Sequence, residues 1–249
     1  MYSDAHIHLK DLSDKTGNTV DIPENCMVCA SAWNAADFLA HEEVAVNNPG
    51  RVFQSFGVHP QNPDRNMISF LETLVEQKRI VAVGECGLDY YTADYRSRRD
   101  DQMFVWDAQR SIARNAGLPL VLHGRKAMAA FFSVSRELAR LPAVIFHGWG
   151  GSPVEARSFL DRGVNAFFSV GKALLRGHRN LRETVRLIGP EHLLSETDAP
   201  WMTLKGEAYS RLEDIIPVVR AMAETCGMPE ENLEAWLRDN FLRVFSGPF

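Results

Sequence analysis

Cysteine is scarce, with four in 249 residues, which excludes a disulfide scaffold. Basic residues are outnumbered, 27 Lys and Arg against 32 Asp and Glu, for a net charge of −5. Gripping duplex DNA through many phosphate contacts takes the opposite balance. Any nucleic-acid chemistry must therefore rest on a local site, with bound cations supplying positive charge. No apolar run approaches the ~18 residues of a membrane span. The opening Met1-Tyr2-Ser3-Asp4-Ala5-His6 has neither the basic nor the apolar stretch of a secretory leader. A cytoplasmic protein with no membrane partner is expected. No low-complexity tract and no Pro/Gly/Ser-rich linker divides the chain, so residues 1–249 read as one domain.

What is present is a rhythm. Short β-prone runs fall at Tyr2–His8, Cys26–Ser31, Val52–Val58, Ile80–Cys86, Leu118–His123, Ala143–His147, Val164–Ser169 and His192–Thr197. Several are apolar almost throughout, as strands buried on both faces are. Between them lie segments of helical period: Ala35–Asn47, Met67–Lys78, Arg98–Asn115, Arg125–Leu141, Val154–Arg162 and Leu181–Ile188. Ser210–Thr225 and Glu230–Phe245 follow the last strand, as extra C-terminal helices from about residue 207. Strand and helix alternating eight times predicts an α/β fold with a parallel sheet, and at this length a single (β/α)8 TIM barrel. An open doubly wound sheet would carry a glycine-rich loop after its first strand; Leu9-Lys10-Asp11-Leu12 stands there instead.

A barrel puts its chemistry at the C-terminal ends of its strands. Six of the eight predicted strands end in a metal-ligating residue: His6 and His8, His59, Glu85, His123, His147, and Glu196 with Asp198. Five of the chain's eight histidines stand at these junctions. In His6-Ile7-His8 the imidazoles lie two apart on a strand and so point the same way. A lone His-x-His is often an interior histidine with a satisfied hydrogen bond, but here Glu85, His123, His147 and Asp198 arrive on other strands. Four imidazoles and two carboxylates exceed one tetrahedral catalytic ion and suit two divalent cations sharing a bridging anion. Glu85 is the candidate bridge, lying in sequence between the two histidine sets. A structural ion pair is its other reading, disfavoured by the small neighbours Gly84, Cys86 and Gly87. Imidazole suits Zn, carboxylate and water suit Mg or Mn, and the mixed set does not choose.

These residues fall within motifs: Asp4-Ala5-His6-Ile7-His8, Gly57-Val58-His59-Pro60, Gly84-Glu85-Cys86-Gly87-Leu88-Asp89-Tyr90-Tyr91, the run from Pro119 through His123-Gly124-Arg125-Lys126-Ala127, Phe146-His147-Gly148, and Ser195-Glu196-Thr197-Asp198-Ala199-Pro200. In this order they resemble the TatD-type metal-dependent deoxyribonucleases of the amidohydrolase-like superfamily, over residues 1 to about 200. The resemblance implies His6, His8, Glu85 and Asp198 on one metal, and Glu85, His123 and His147 on the second. It admits a third cation at His59 and Glu196. The other reading of that pair is a hydrogen-bonding Glu196 and a His59 that touches a substrate phosphate. It implies hydrolysis of DNA or another phosphodiester by a metal-activated water, with Asp198 and Glu85 catalytic and Asp198 taking or holding the proton.

Candidate substrate contacts are Arg125 as a phosphate clamp, Tyr90 with Tyr91 as stacking rings, and Trp149 and Trp201 beside the metal residues. Rim salt bridges or packing are the alternatives for each. Two stretches depart from the family pattern. Gly148-Trp149-Gly150-Gly151 replaces a Cys-Phe-Ser-Gly-like stretch, and Trp201-Met202-Thr203-Leu204-Lys205-Gly206 replaces a Pro- and Arg-rich loop. The metal residues are kept and the substrate edge is altered.

The competing enzyme reading is another amidohydrolase-superfamily hydrolase of an amide or ester, including aminoacyl-tRNA deacylation. Many such barrels bridge their metals with a carboxylated lysine, and none stands beside Glu85. A barrel kept only as a binding module would have lost ligands, and none is missing. Cys26-x-x-Cys29 has zinc-like spacing, but residues three apart on a strand face opposite ways, so both are expected in the core. Tyr95-Arg96-Ser97-Arg98-Arg99 is expected to be a solvated helix start, and His41, His178 and His192 to be surface or packing residues.

Overall fold

The apolar runs become eight parallel strands: β1 Tyr2–Ile7, β2 Cys26–Ala32, β3 Val52–Phe56, β4 Ala82–Asp89, β5 Leu120–Arg125, β6 Val144–Phe146, β7 Ala166–Val170 and β8 Leu193–Ser195. They hydrogen bond in sequence order, β1 to β8, in the computed structural model, which describes residues 1–247. Side chains from all eight strands meet in one buried cluster that includes Ala5, Met27, Cys29, Phe53, Ala82, Val121, Ile145, Phe167 and Leu194. This is the filled interior of a TIM barrel. A second cluster fills the space between strands and outer helices.

The period-two rule decides the cysteines. Cys29 and Met27 point into the barrel, while Cys26 and Val28 face an outer cluster with Leu9 and Leu12. Both thiols are free, and burial pushes each up to about 12.

No ladder pairs β8 with β1 among the described residues, and the seam is closed by single bonds. Asp198 N donates to His6 O at 2.9 Å, His8 N to Ala199 O at 2.8 Å, and Ser195 Oγ to Ser3 O at 2.6 Å. Between β4 and β5 the backbones approach so closely that a Cβ on Gly84 would lie 2.3 Å from Val121 O, and one on Gly87 2.2 Å from His123 O. Both glycines also hold positive φ, 139° and 137°, which side-chain-bearing residues avoid. The motif around Glu85 is thus glycine-rich because the strands touch.

The outer ring holds α1 Leu9–Thr16, α2 Ala35–Asn47, α3 Met67–Glu76, α4 Ala93–Ser97, α5 Arg99–Ala116, α6 Met128–Ser133, α7 Ser135–Leu138, α8 Pro153–Asp161 and α9 Arg179–Ile188, followed by α10 Ile215–Cys226 and α11 Glu230–Phe245. Side-chain caps set several starts: Asn34 accepts from Asp37 N, Thr92 from Tyr95 N, and Ser152 forms a reciprocal capping box with Glu155. Phe241, Val244 and Phe245 of α11 join the interior cluster, leaving the strands' C-terminal ends open. No helix is long and apolar enough to cross a membrane among the described residues.

Two helix expectations shift, and helix α1 went unpredicted. The helix expected over Arg125–Leu141 is two short ones, because β5 runs on through Arg125 and Ser133-Val134-Ser135 are poor helix formers. The helix expected from Ser210 begins at Ile215, after a 3-10 turn at Leu212–Asp214. Helix α1, short and burying only Leu9 and Leu12, had no clear period to announce it.

Candidate metal centre

Strands β1, β4 and β5 carry His6, Glu85 and His123, while His8, His59, His147 and Asp198 follow β1, β3, β6 and β8. All seven converge at the barrel mouth. The Glu85 carboxylate is their hub. Its Oε2 lies 3.2 Å from His6 Nε2 and 3.9 Å from His8 Nε2. Its Oε1 lies 2.5 Å from His123 Nδ1, 3.3 Å from His59 Nε2 and 3.6 Å from His147 Nε2. Asp198 Oδ1 stands 3.4 Å from His8 Nε2, 3.8 Å from His6 Nε2 and 3.9 Å from His147 Nε2.

Three groups that could hold a metal ion arise, each with its donor atoms within 4.8 Å of one another: His6, His8 and Asp198; His6, Glu85 and His147; His59, Glu85 and His123. The family resemblance grouped His147 with His123. Glu85 Oε1 faces both of these and His59 as well, while the His147 ring also stacks on His6 with centroids 3.7 Å apart.

Outer partners aim the rings. His147 Nδ1 donates to Glu196 Oε2 at 2.9 Å, leaving Nε2 toward the centre, and Gly148 N donates to Glu196 Oε1 at 2.8 Å. Of the two readings of Glu196, this geometry realises the hydrogen-bonding one. His123 Nε2 donates to Asp89 Oδ2 at 3.1 Å, leaving Nδ1 toward Glu85. Asp89 is itself held by Gln61 Nε2 at 2.8 Å and Tyr91 N at 2.9 Å. Such carboxylate–histidine pairs fix tautomer and orientation at metal sites. Beneath them Asp4 accepts from His6 N at 3.1 Å, Thr197 N at 3.0 Å and Thr197 Oγ1 at 2.6 Å, joining β1 to the segment after β8. Burial pushes the Asp4 carboxyl up to about 7, against the pull of those bonds.

Burial opposes ionisation of Glu85, but the surrounding imidazoles of His59, His147, His123 and His6 hold its carboxyl well below the usual range. Asp198 is lowered likewise: burial raises it, and His147, His8 and His6 outweigh that. Burial lowers His147, while Glu196, Glu85 and Asp198 raise it well above the ordinary imidazole value. Burial dominates at His6 and His59, which fall. The Nε2 atoms of His6 and His8 stand 3.2 Å apart, with Glu85 and Asp198 oxygens around them. Imidazole lone pairs and anionic oxygens aimed at one spot are a donor set for a divalent cation, so the residues fit the group.

The expected substrate contacts divide. Trp149 is 4% exposed and packs against Phe146 and Phe168, its Nε1 donating to Thr184 Oγ1 at 3.3 Å. It belongs to the core and does not border the mouth, because the turn after His147 directs its ring outward between strands and helices. Tyr90 is half-buried against the core with Arg99 over its ring, and the exposed neighbour is Tyr91, at 51%. Arg125 lies on the rim with Nη1 3.4 Å from Asp89 Oδ2. Trp201 is 47% exposed, and its N donates to Asp198 O at 2.7 Å, so it stands beside the centre. His41 is buried and accepts from Lys10 N, and His192 Nδ1 lies 3.0 Å from Ala166 O. His178 is exposed.

Lys172 escaped the sequence analysis. It is fully buried after β7, with Nζ 2.6 Å from Asp214 Oδ2, 2.5 Å from Glu207 Oε2 and 3.2 Å from Ser210 Oγ. It ties down the altered segment beyond Asp198. Nothing in the sequence sets it apart from a surface lysine. Asp89, by contrast, stands out in the sequence from its place in the Glu85 motif, as a residue that shapes the pocket or packs, and here it orients His123.

The sequence profile of the TatD related DNases matches residues 3–246. A protein of Pantoea ananatis called 3'-5' ssDNA/RNA exonuclease TatD is 32% identical over 173 residues, 68% of this chain and 66% of its own length, so the match spans just under two thirds of that relative. An uncharacterized metal-dependent hydrolase TatD of Mycobacterium tuberculosis is 31% identical over 265 residues, covering 97% of both chains. Among solved structures, the TatD homologue YJJV of Escherichia coli superposes with a TM-score of 0.82 at 22% identity, covering 99% of this chain and 98% of its own. An uncharacterized amidohydrolase of Saccharomyces cerevisiae gives 0.78 at 16% identity, covering 98% and 99%. By the match along nearly its whole length, this chain belongs to the TatD related DNase family.

Proposed function

We propose that the protein is a divalent-metal-dependent hydrolase of phosphodiester bonds, a nuclease whose substrate is DNA or another polynucleotide. One observation carries the reading: the two oxygens of Glu85 face different imidazole sets, His6 and His8 on one side, His59, His123 and His147 on the other. A carboxylate so placed would serve two cations at once. His6, His8 and Asp198 would hold one, and His59, His123 and His147 the other, with Glu85 common to both. Bound cations of this kind polarise a phosphoryl oxygen and lower the pKa of water. Glu196 has both oxygens engaged by His147 and Gly148, which favours two cations over three.

Asp198 is the proton acceptor in this proposal. Its side chain is 14% exposed against 4% for Glu85 and 0% for Glu196 and Asp89, so it is the centre's acid most open to solvent and substrate. Burial of Glu196 and Asp89 leaves them to orient imidazoles. The lysine bridge of many amide hydrolases has no counterpart: among the described residues the buried lysine, Lys172, is bound to Glu207 and Asp214. The four unpaired thiols agree with work in the reducing cytoplasm.

The test compares a phosphodiester with a panel of esters, amides and aminoacyl-tRNA under matched Zn, Mg and Mn. Phosphodiester turnover, abolished by chelation and restored by the cation, is expected. Asp198→Asn is expected to lower kcat by ~10²-fold or more; a loss of less than about tenfold removes Asp198 from the proton role. Hydrolysis of the amide or ester panel alone overturns the nuclease reading.

A further inference from the structure

We propose that Arg125, Lys126 and Tyr91 form a second phosphate subsite, which grips the diester next to the one being cleaved and makes the enzyme select a continuous strand over a short fragment. This rests on the phosphodiesterase reading above. The Arg125 guanidinium lies 4.1 Å from the Tyr91 ring centroid, and Lys126 Nζ lies 4.9 Å from the same centroid. One aromatic ring thus gathers two cations in a chain of net charge −5. Bringing like charges together costs energy unless an anion accompanies them.

The protein provides little of that anion. Asp89 is Arg125's acidic neighbour, at 3.4 Å, but the same Oδ2 already accepts from Gln61 at 2.8 Å and from His123 at 3.1 Å. Among the described residues no acidic group pairs with Lys126. The cluster is also built rather than loose. Tyr91 N donates to Asp89 Oδ1 at 2.9 Å, Tyr90 N donates to Arg125 O at 2.8 Å, and Arg96 Nη1 donates to the carbonyls of Tyr90 and Tyr91. Lys126 holds φ 55°, a left-handed conformation that few side-chain-bearing residues adopt.

Position gives the subsite its meaning. Arg125 is two residues beyond His123 on β5, so its backbone lies about 6–7 Å from that of the ligand. Its guanidinium lies over Tyr91 and reaches to 3.4 Å from Asp89 Oδ2, the oxygen that also meets His123 Nε2, so the subsite adjoins the centre. A phosphate held there belongs to the same strand as the one at the centre. A single nucleotide diester cannot occupy both places, whereas a longer strand can.

Two measurements test the subsite on the metal-loaded protein. The first compares kcat/KM for a strand about twelve nucleotides long with that for a dinucleotide. The wild-type preference for the strand is expected to drop about tenfold in Lys126→Asn and Tyr91→Leu, while Lys126→Arg and Tyr91→Phe keep it, because charge and ring survive. The second measures binding of a strand of the same length with a slowly hydrolysed phosphorothioate backbone. Its salt dependence is expected to flatten by roughly 0.7 in log–log slope when Lys126 loses its charge. Variants that lower strand and dinucleotide turnover equally, or that leave strand binding and its salt slope unchanged, overturn the proposal. If the wild type hydrolyses neither substrate, the nuclease reading fails; the binding arm then still supports the subsite where Lys126→Asn weakens the strand, and overturns it where it does not.

Discussion

His147 presents Nε2 to the centre because its Nδ1 donates to Glu196 Oε2 at 2.9 Å. The carboxylate is fully buried and also accepts from Gly148 N, so the ring has little freedom to turn. Glu196→Gln replaces one acceptor oxygen with a donor that cannot serve His147 or Gly148 equally. Metal affinity is expected to weaken 10- to 100-fold, as for other outer-partner losses, with turnover falling in parallel at limiting metal. Calorimetric titration of the metal-free protein with Zn or Mn checks the affinity apart from activity.

Asp4 holds the β1–β8 seam where no strand ladder does, accepting from His6 N, Thr197 N and Thr197 Oγ1. Asp4→Ala leaves buried donors unpaired and is expected to destabilise the fold by about 3 kcal/mol. It also loosens His6 relative to Asp198, so metal binding should weaken too. Denaturant unfolding with and without metal separates the two effects: the stabilisation added by saturating metal should shrink in the variant.

Trp149 lies two residues after His147, but its ring packs on Phe146 and Phe168 inside the core. Trp149→Ala is expected to cost about 3–5 kcal/mol of stability, and Trp149→Phe distinctly less. Wild-type stability in Trp149→Ala, measured by urea unfolding, would place the ring in the cleft instead.

His41 is buried, accepts from Lys10 N, and has its pKa lowered from 6.5 to about 3 by burial first, then by His8 and Lys10. The unfolded chain takes up a proton below pH 6.5 that the native state refuses until about 3. Its contribution is therefore complete above pH 6.5 and is lost as pH falls through that window. Between pH 6.5 and pH 5 the loss is roughly 2 kcal/mol. His41→Gln keeps an acceptor for Lys10 N and is expected to flatten this limb of the stability–pH curve. An unchanged slope in chemical denaturation across that range would show that His41 does not carry it.

Local pattern made much of the site legible. Strand alternation put His6 and His8 on one side and Cys26 and Cys29 on opposite faces, and both placements hold. The alternation of apolar runs with helical segments implied the eight-stranded barrel, whose mouth gathers residues that stand at strand ends. Boundaries were less legible where β4 runs to Asp89 and β5 to Arg125, since glycines at 84, 87 and 124 interrupt the apolar signal.

The sequence alone determined the order of the eight strands, the barrel class and the set of candidate ligand types, because those follow from periods of two and 3.6 residues and from residue chemistry. Tertiary structure decided which oxygen of Glu85 meets which imidazole, that Tyr91 and not Tyr90 or Trp149 is exposed near the mouth, and that Lys172 is buried against Glu207 and Asp214. Periodicity says which side chains share a face; only neighbours from distant strands and loops say whether that face is covered, and by what charge.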